Sequence, residues 1–169
     1  MNELLDTFDI NGNFVGVQTR EFCHSKNPGV YHKPVWIFIT NDKNEILVQK
    51  RAKSKKENPG KWDMPAAGHV NAGETSLQGC VRETEEELGL KFDEKDFVFL
   101  KQWLAQDAWE LAQIYLLKTN AKVTEMTLQK DEVEAVKWLD YDEFRKLLYS
   151  KDFCEFDIEY KDWIAKILK

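Results

Sequence analysis

The sequence contains little of what builds disulfide frameworks, zinc knuckles or membrane spans. Its 169 residues include only three cysteines, Cys23, Cys80 and Cys154, and no C-x-x-C pair, so neither kind of cross-link is expected to organise the fold. No apolar run approaches the roughly 18 residues that cross a bilayer. The N-terminal MNELLDTFDI has no apolar segment typical of a secretory signal. These absences predict a soluble, cytoplasmic protein without a membrane partner.

The chain also lacks the excess of basic residues that nucleic-acid polymers require. Thirty acidic and 24 basic residues give a net charge of −6, which argues against a nucleic-acid partner. A small anionic substrate held by a few local cations stays compatible with this charge. With 43% apolar residues, the chain can bury one sizeable core, and we expect a single domain over residues 1–169.

Apolar periodicity and turn residues predict the elements. An Asn-Gly pair at 11–12 between alternating segments predicts a hairpin. Further strands are predicted over 35–40, 45–50, 62–69, 96–103, 108–118 and 133–139, and helices over 74–88, 141–149 and 157–168. Because strands outnumber helices and a helix lies between strands, the predicted fold class is α/β (α+β) with a mixed sheet.

The predicted helix over residues 74–88 carries acids on one side. At about 100° per residue, Glu83, Glu86 and Glu87 lie within about 100° of one another, and the opposite side carries Leu77, Val81, Thr84 and Leu88. Converging carboxylates favour a cation, and oxygen ligands suit Mg²⁺ or Mn²⁺. The alternative is a solvated acidic face.

The surrounding segment, GHVNAGETSLQGCVRETEEELGL, resembles the Nudix hydrolase signature G-x5-E-x7-R-E-U-x-E-E-x-G-U, where U is aliphatic. The matching positions are Gly68, Glu74, Arg82, Glu83, Glu86, Glu87, Gly89 and Leu90. Thr84 stands at one aliphatic position, on the apolar side of the helix. Eight fixed positions in 23 residues make the resemblance specific.

The resemblance implies a Nudix-type α/β/α sandwich with a mixed central sheet. It also implies an enzyme that hydrolyses a small diphosphate linked to another group, X. By match, Glu83, Glu86 and Glu87 hold the metal, Mg²⁺ with Mn²⁺ as a substitute, and the Gly68 backbone carbonyl joins them.

Further roles follow from the same resemblance. Arg82 and Glu74 are expected to form an ion pair that braces the junction between loop and helix. A carboxylate from outside the helix is expected to serve as base or ligand. Glu132 is our first candidate for it, with Glu134 and Glu110 as alternatives.

Residues 51–70, RAKSKKENPGKWDMPAAGHV, are similar to the corresponding part of type 1 isopentenyl-diphosphate isomerases, which share the Nudix fold. This resemblance implies that Arg51 and Lys55 contact the substrate diphosphate, for which both side chains are chemically suited. The alternative is a basic, solvated loop.

The isomerases also bind a second metal through three histidines. His32 and His69 match this pattern, and His24 matches with a shift of one residue. Together with Glu110, they are the candidate ligands of a second metal site. The alternative is that each histidine is structural.

Ala67 departs from the isomerase pattern. The isomerases carry their catalytic cysteine directly before Gly-His, where this chain has alanine. Alanine cannot transfer a proton, and Cys80 is predicted on the apolar side of the helix. We therefore favour a metal-dependent diphosphate hydrolase over a prenyl-diphosphate isomerase or a non-catalytic nucleotide-binding module. The sequence does not determine whether the X group is a nucleoside, a sugar or a prenyl group. A homodimer is compatible with the sequence.

Overall fold

The computed structural model describes residues 3–169. Its β-strands are β1 (Leu4–Phe8), β2 (Phe14–Thr19), β3 (Pro34–Thr40), β4 (Ile46–Arg51), β5 (Trp62–Asp63), β6 (Ala66–His69), β7 (Phe97–Ala105), β8 (Glu110–Lys118) and β9 (Val133–Leu139). The α-helices are α1 (Arg20–Cys23), α2 (Ser76–Leu88), α3 (Tyr141–Leu148) and α4 (Ile158–Ile167). No helix within this range has both the length and the apolar character needed to cross a lipid bilayer.

A mixed seven-stranded sheet forms the centre of the fold. Its order is β5-β4-β3-β8-β7, with β6 paired to β3 and β9 paired to β4. Strand β3 runs parallel to β8 and antiparallel to β6. The strands β1 and β2 form a separate two-stranded hairpin. The mixed sheet agrees with the fold class that the sequence predicts.

Strand β3 separates two buried clusters because its side chains alternate between the faces of the sheet. Val35 and Ile37 belong to the cluster that includes Cys80 and Leu88 of α2. The intervening residues belong to the second cluster, which contains residues of α3 and α4: Trp36, Phe38, Phe144, Leu148, Tyr160 and Ile164. Helices therefore cover both faces of the sheet, which gives the predicted α/β/α sandwich.

The predicted strand over residues 62–69 is two strands in the structure. Strand β5 pairs with β4, whereas β6 pairs with β3. Pro65 lies between them and has no backbone N–H to donate to a ladder. The chain therefore changes partner at this proline, and β6 carries Ala67 and Gly68 to the centre of the sheet.

Helix α2 begins two residues later than predicted. Thr75 is its N-cap: the hydroxyl accepts a hydrogen bond from the Gln78 backbone N–H at 3.1 Å, and the Gln78 side chain accepts one from the Thr75 N–H at 2.9 Å. This capping box fixes the start of the helix and leaves Glu74 in the preceding turn. Gly89 ends the helix in a left-handed conformation, φ 69°.

Candidate active site

Gly68 of β6 lies directly against the Glu83 side chain of α2. A Cβ atom added at Gly68 would lie 2.0 Å from Glu83 Cδ and 2.1 Å from its Oε1. Both distances are far shorter than a van der Waals contact. The overlap is with the far end of the Glu83 side chain, so a larger residue at Gly68 would force that carboxylate to move. This close approach brings the backbone of β6 and a helix carboxylate to one place.

Arg82 joins the turn, the strand and the helix. Its Nε and Nη2 atoms donate to the two carboxylate oxygens of Glu74 at 3.0 and 2.9 Å. Nη2 also donates to the His69 carbonyl at 2.7 Å, and Nη1 donates to Glu83 Oε1 at 2.6 Å. Burial raises the Glu74 pKa, but the hydrogen bonds from Arg82 and Asn71 and the charge of Arg82 together outweigh it, so the pKa is lowered. Arg82 is thus placed where a brace between β6 and α2 is expected.

The three acids of α2 have different surroundings. Glu83 is largely buried, whereas Glu86 is half exposed and lies 3.3 Å from Arg82 Nη1. Glu87 is buried, and its Oε2 accepts a hydrogen bond from Gln49 Nε2 of β4 at 3.0 Å. The acids therefore extend from the solvent-facing side of α2 to the surface of the sheet.

The electrostatics of this group favour a bound cation. Burial, with a smaller contribution from the charge of Glu86, raises the pKa of Glu83 to about 7 despite the adjoining Arg82. Burial, and then the charges of Glu83 and Glu132, raise the pKa of Glu87. Buried like charges are costly unless a cation compensates them. The oxygen donors present suit Mg²⁺ or Mn²⁺, so the residues fit the metal that the sequence predicts.

The loop over residues 51–61 is bound to the turn before β9. The Ala52 N–H donates to the Glu132 carbonyl at 2.9 Å, and the Lys55 ammonium pairs with the Glu132 carboxylate. Arg51 Nη1 lies 3.2 Å from Asp63 Oδ2. The structure therefore brings the predicted phosphate-binding Lys55 beside the predicted base Glu132. The alternative base Glu134 instead pairs with Lys50 at 2.8 Å.

The three histidines converge at His69, the last residue of β6. Ligand atoms of His24, His32 and His69 lie within 4.8 Å of one another, and the Nε2 atoms of His24 and His69 are 2.9 Å apart. His32 is buried, and neither of its ring nitrogens has a hydrogen-bond partner among residues 3–169. Glu110 Oε1 lies 3.5 Å from His32 Nε2. A buried imidazole without partners is unusual, and a metal ion would satisfy it.

Comparison with known proteins decides the family. Residues 30–162 match the NUDIX domain family, which is well over half of the chain. The protein belongs to the Nudix family. This match extends on both sides of residues 51–90, the part of the sequence that carries the two resemblances.

Both hydrolases and isomerases occur among the relatives. The chain is 40% identical to Nudix hydrolase 3 of Arabidopsis thaliana over 136 residues, which are 73% of this chain and 18% of that protein. The chain thus spans under a fifth of that relative. It is 32% identical to an isopentenyl-diphosphate Delta-isomerase of Corynebacterium glutamicum over 149 residues, covering 82% of this chain and 77% of the isomerase.

A solved structure supports the fold. A crystal structure of a Deinococcus radiodurans protein superposes with a TM-score of 0.75 at 20% identity, covering 98% of this chain and 97% of that one. At this identity the similarity shows the Nudix fold alone. The family match and the hydrolase relatives support a Nudix pyrophosphohydrolase.

Ala67 lies away from the Nudix helix. It is opposite Trp36 in the β3–β6 ladder and packs against the aromatic cluster under α3 and α4. Cys80 is buried in the cluster on the other side of the sheet. Cys80 therefore cannot replace the thiol that the isomerases carry at the position of Ala67.

Several residues at these sites were not predicted from the sequence. Gln49 of β4 donates a hydrogen bond to Glu87 of α2, and Glu3 Oε1 lies 3.3 Å from His69 Nδ1. The hydrogen bond from His69 lowers the pKa of Glu3 to about 2. Trp109 has a left-handed backbone conformation, φ 56°, which is strained for a bulky residue. It directly precedes Glu110, the first residue of β8. No sequence motif indicated these three residues.

The raised pKa of Glu83 predicts how pH affects stability. Without metal, the folded protein should lose stability as pH rises from about 4.5 to about 7, because unfolded Glu83 releases its proton earlier than folded Glu83. The loss attributable to this group is at most about 3 kcal/mol. Saturating Mg²⁺ should therefore raise the Tm more at pH 7.5 than at pH 5.5.

Thermal unfolding at both pH values, with and without Mg²⁺, measures this difference in Tm. The Glu83→Gln variant is the control. The variant should lose much of the pH dependence between these limits, because its amide does not titrate. An equal effect of Mg²⁺ on the Tm at both pH values would contradict the assignment of Glu83 to the metal site.

Proposed function

We propose that this Nudix protein is a Mg²⁺-dependent hydrolase of a small-molecule diphosphate, with Mn²⁺ able to replace Mg²⁺. The observation that carries the proposal is the contact of Gly68 with Glu83, next to buried Glu87 and half-exposed Glu86. These residues form a rigid group of oxygen donors braced by Arg82. A non-catalytic nucleotide-binding protein has little need for so many buried acids.

Glu83, Glu86 and Glu87, with the Gly68 carbonyl, are the proposed ligands. A divalent cation held by them would polarise the phosphoryl oxygens and lower the pKa of the attacking water. A Francisella tularensis enzyme of similar fold, with a TM-score of 0.60 and 14% identity over 82% of this chain and 42% of that one, was solved with AMP and a Mn ion. That similarity supports Mn²⁺ as a substitute.

Glu132 is the proposed base that accepts a proton from the attacking water. The charge of Glu132 contributes to the raised pKa of Glu87, which supports a role close to the metal-binding group. In the present structure its carboxylate pairs with Lys55. The phosphates of a bound substrate compete for Lys55, since a lysine ammonium binds phosphate as a point charge. Substrate binding therefore frees Glu132 to accept the proton.

The decisive experiment is an assay of a diphosphate panel with Mg²⁺, Mn²⁺ or EDTA. The panel includes a nucleoside triphosphate, ADP-ribose, a nucleotide sugar and isopentenyl diphosphate, with orthophosphate and pyrophosphate measured separately. We expect metal-dependent phosphate release from at least one compound. Binding without cleavage would favour the nucleotide-binding module. Isopentenyl diphosphate incubated in deuterated water should gain no deuterium and give no dimethylallyl product, because Ala67 supplies no acid.

Lys55 and Arg51 are expected to contribute to phosphate binding. Lys55→Ala or Arg51→Ala should lower kcat/KM by about 10–100-fold, the equivalent of the 1.5–3 kcal/mol of a hydrogen bond to a charged group. Lys56→Ala removes an exposed charge from the same loop and serves as the control. Steady-state kinetics that give equal values for all three variants and the wild type would assign the loop to the solvated surface.

We further propose a second metal site made of His24, His32, His69 and Glu110, selective for transition metals because imidazole suits them. His24 is exposed, so His24→Ala should fold and should lower Co²⁺ affinity by at least ~10–100-fold. Titration calorimetry and the visible spectrum of bound Co²⁺ measure this. Glu86→Gln, which alters the helix site, should leave the Co²⁺ spectrum unchanged, and an unchanged spectrum in His24→Ala would contradict the proposal.

A further inference from the structure

The two ring nitrogens of His69 have different neighbours. Nε2 lies 2.9 Å from Nε2 of His24, within the histidine cluster. Nδ1 lies 3.3 Å from Oε1 of Glu3, a residue outside that cluster. The His69 side chain is only 14% exposed. Protein groups, more than bulk water, therefore determine the orientation of this ring and the position of its proton.

The carboxylate of Glu3 determines which nitrogen of His69 carries the proton. An ionised carboxylate only accepts hydrogen bonds, so the proton shared by Glu3 and His69 belongs to Nδ1. A neutral imidazole has a single N–H, and Nε2 of His69 therefore keeps its lone pair. This nitrogen is the one beside His24, where the ligand atoms of the three histidines lie within 4.8 Å of one another.

Glu3 is itself held by Arg20. The Arg20 Nη1 atom lies 3.1 Å from Glu3 Oε2, and the Arg20 backbone N–H donates to the Glu3 carbonyl at 2.9 Å. The pairing of Leu4 with Thr19 in the β1–β2 hairpin brings these two residues together, because each is the next residue outward in its strand. The carboxylate oxygens of Glu3 thus have separate partners, Arg20 for Oε2 and His69 for Oε1.

The backbone of His69 is fixed as well. Its carbonyl accepts a hydrogen bond from Arg82 Nη2 at 2.7 Å, and it pairs with Pro34 in the β3–β6 ladder. Because the backbone is held, the freedom that the His69 side chain retains is the rotation of the ring and the choice of tautomer. The contact with Glu3 limits both.

We propose that Glu3 is a positioning residue for the second metal site: it orients the His69 ring and keeps the proton on Nδ1, so that Nε2 is free to bind a metal ion. This inference rests on the histidine site proposed above and adds a residue from the N-terminal hairpin to it. A carboxylate on the far nitrogen of a metal-binding histidine fixes the tautomer and raises the basicity of the ligand. Glu3 therefore increases metal affinity without being a ligand.

The tautomer of His69 is measured first, in the metal-free protein. Long-range ¹H–¹⁵N correlation spectra at alkaline pH distinguish a proton on Nδ1 from one on Nε2. We expect the Nδ1–H form in the wild type and a shift towards the Nε2–H form in Glu3→Ala. Glu3→Gln should keep much of the Nδ1–H form, because its amide oxygen still accepts a hydrogen bond.

Two variants separate positioning from a general role in folding. Arg20→Ala removes the other partner of Glu3, and Glu21→Ala removes an exposed carboxylate of α1. Both should keep the wild-type tautomer of His69, because Oε1 of Glu3 remains in place and exposed ion pairs contribute little. Circular dichroism checks that each variant is folded.

Co²⁺ affinity is the second measurement, by titration calorimetry with excess Mg²⁺ to fill the helix site. Glu3→Ala should lower the affinity by ~10–100-fold, Glu3→Gln by less, and Arg20→Ala and Glu21→Ala by no more than a factor of about two. A wild-type chain that binds no Co²⁺ would contradict the histidine site itself, and the role of Glu3 with it. Tight Co²⁺ binding that Glu3→Ala leaves unchanged, or an Nε2–H tautomer of His69 in the wild type, would overturn the role of Glu3 alone.

Discussion

Glu87→Gln is expected to lower kcat by ~10²–10³-fold, the range seen when one electrostatic stabiliser of a transition state is removed. Glu87 is buried on α2 and accepts a hydrogen bond from Gln49. A glutamine keeps the shape and can still accept that bond, so the fold should survive. What it loses is the negative charge that a divalent cation needs.

Glu85→Gln is the matched control for this variant. Glu85 lies two residues away on the same helix, is exposed, and pairs with Lys91 at 3.0 Å. Its loss should leave kcat within a factor of about two, because exposed ion pairs contribute little. Steady-state kinetics at saturating Mg²⁺ measure both variants. Equal activity in Glu87→Gln and the wild type would remove Glu87 from the site.

Gly68→Ala should affect stability and activity together. The added Cβ would lie 2.0 Å from Glu83 Cδ, so either β6 or the Glu83 side chain must move. Overpacking of this kind costs about 1–3 kcal/mol, and a displacement of about 1 Å at a reacting centre can cost ~10²-fold in rate. Thermal unfolding and kcat measured on the same preparation check both effects.

A double variant separates the two consequences of Gly68→Ala. Adding Glu83→Ala removes the clashing carboxylate, so stability should return towards that of Glu83→Ala alone while activity stays low. Ala67→Ser is the control, because it adds one atom to the neighbouring residue, which packs on the other face of the sheet. A Gly68→Ala variant with normal Tm and normal kcat would contradict the close packing of β6 on Glu83.

Local patterns predicted the bounds of elements whose apolar periodicity is clear in the sequence. Strand β9 was predicted with the bounds it has, and α3 differs by one residue at its end. Apolar residues recur at strand spacing in β9 and at helical spacing in α3, and in each element the pattern stops near the end of the element. Helix α2 was predicted two residues too early, although the Thr75–Gln78 capping box could have been found in the sequence.

Features that depend on distant pairing could not be predicted in the same way. The break between β5 and β6 follows from Pro65, but only the assembled sheet shows that the two strands have different partners. The Asn11-Gly12 pair predicted a hairpin, yet its connection runs over residues 9–13. The reason is that Asp9 accepts hydrogen bonds from the backbones of Asn11 and Asn13, both at 2.9 Å.

The same distinction applies to the candidate sites. The acid cluster of α2 could be predicted from the sequence because helical spacing alone places these side chains on one face. The pairing of Lys55 with Glu132 joins residues 77 positions apart, and Gln49 meets Glu87 only after β4 packs against α2. The sequence therefore indicated which chemical groups take part but not which of them are already paired in the folded chain.

Incorporation of oxygen from ¹⁸O-labelled water is the most direct test of the central claim, that the α2 acids support metal-dependent hydrolysis at phosphorus. The test uses the compound in the diphosphate panel that is cleaved most rapidly. We predict one ¹⁸O atom in one phosphate product per turnover with Mg²⁺, none with EDTA, and a rate reduced ~10²-fold or more in Glu87→Gln. Turnover that is unaffected by EDTA or by Glu87→Gln, or a product without ¹⁸O, would contradict the claim.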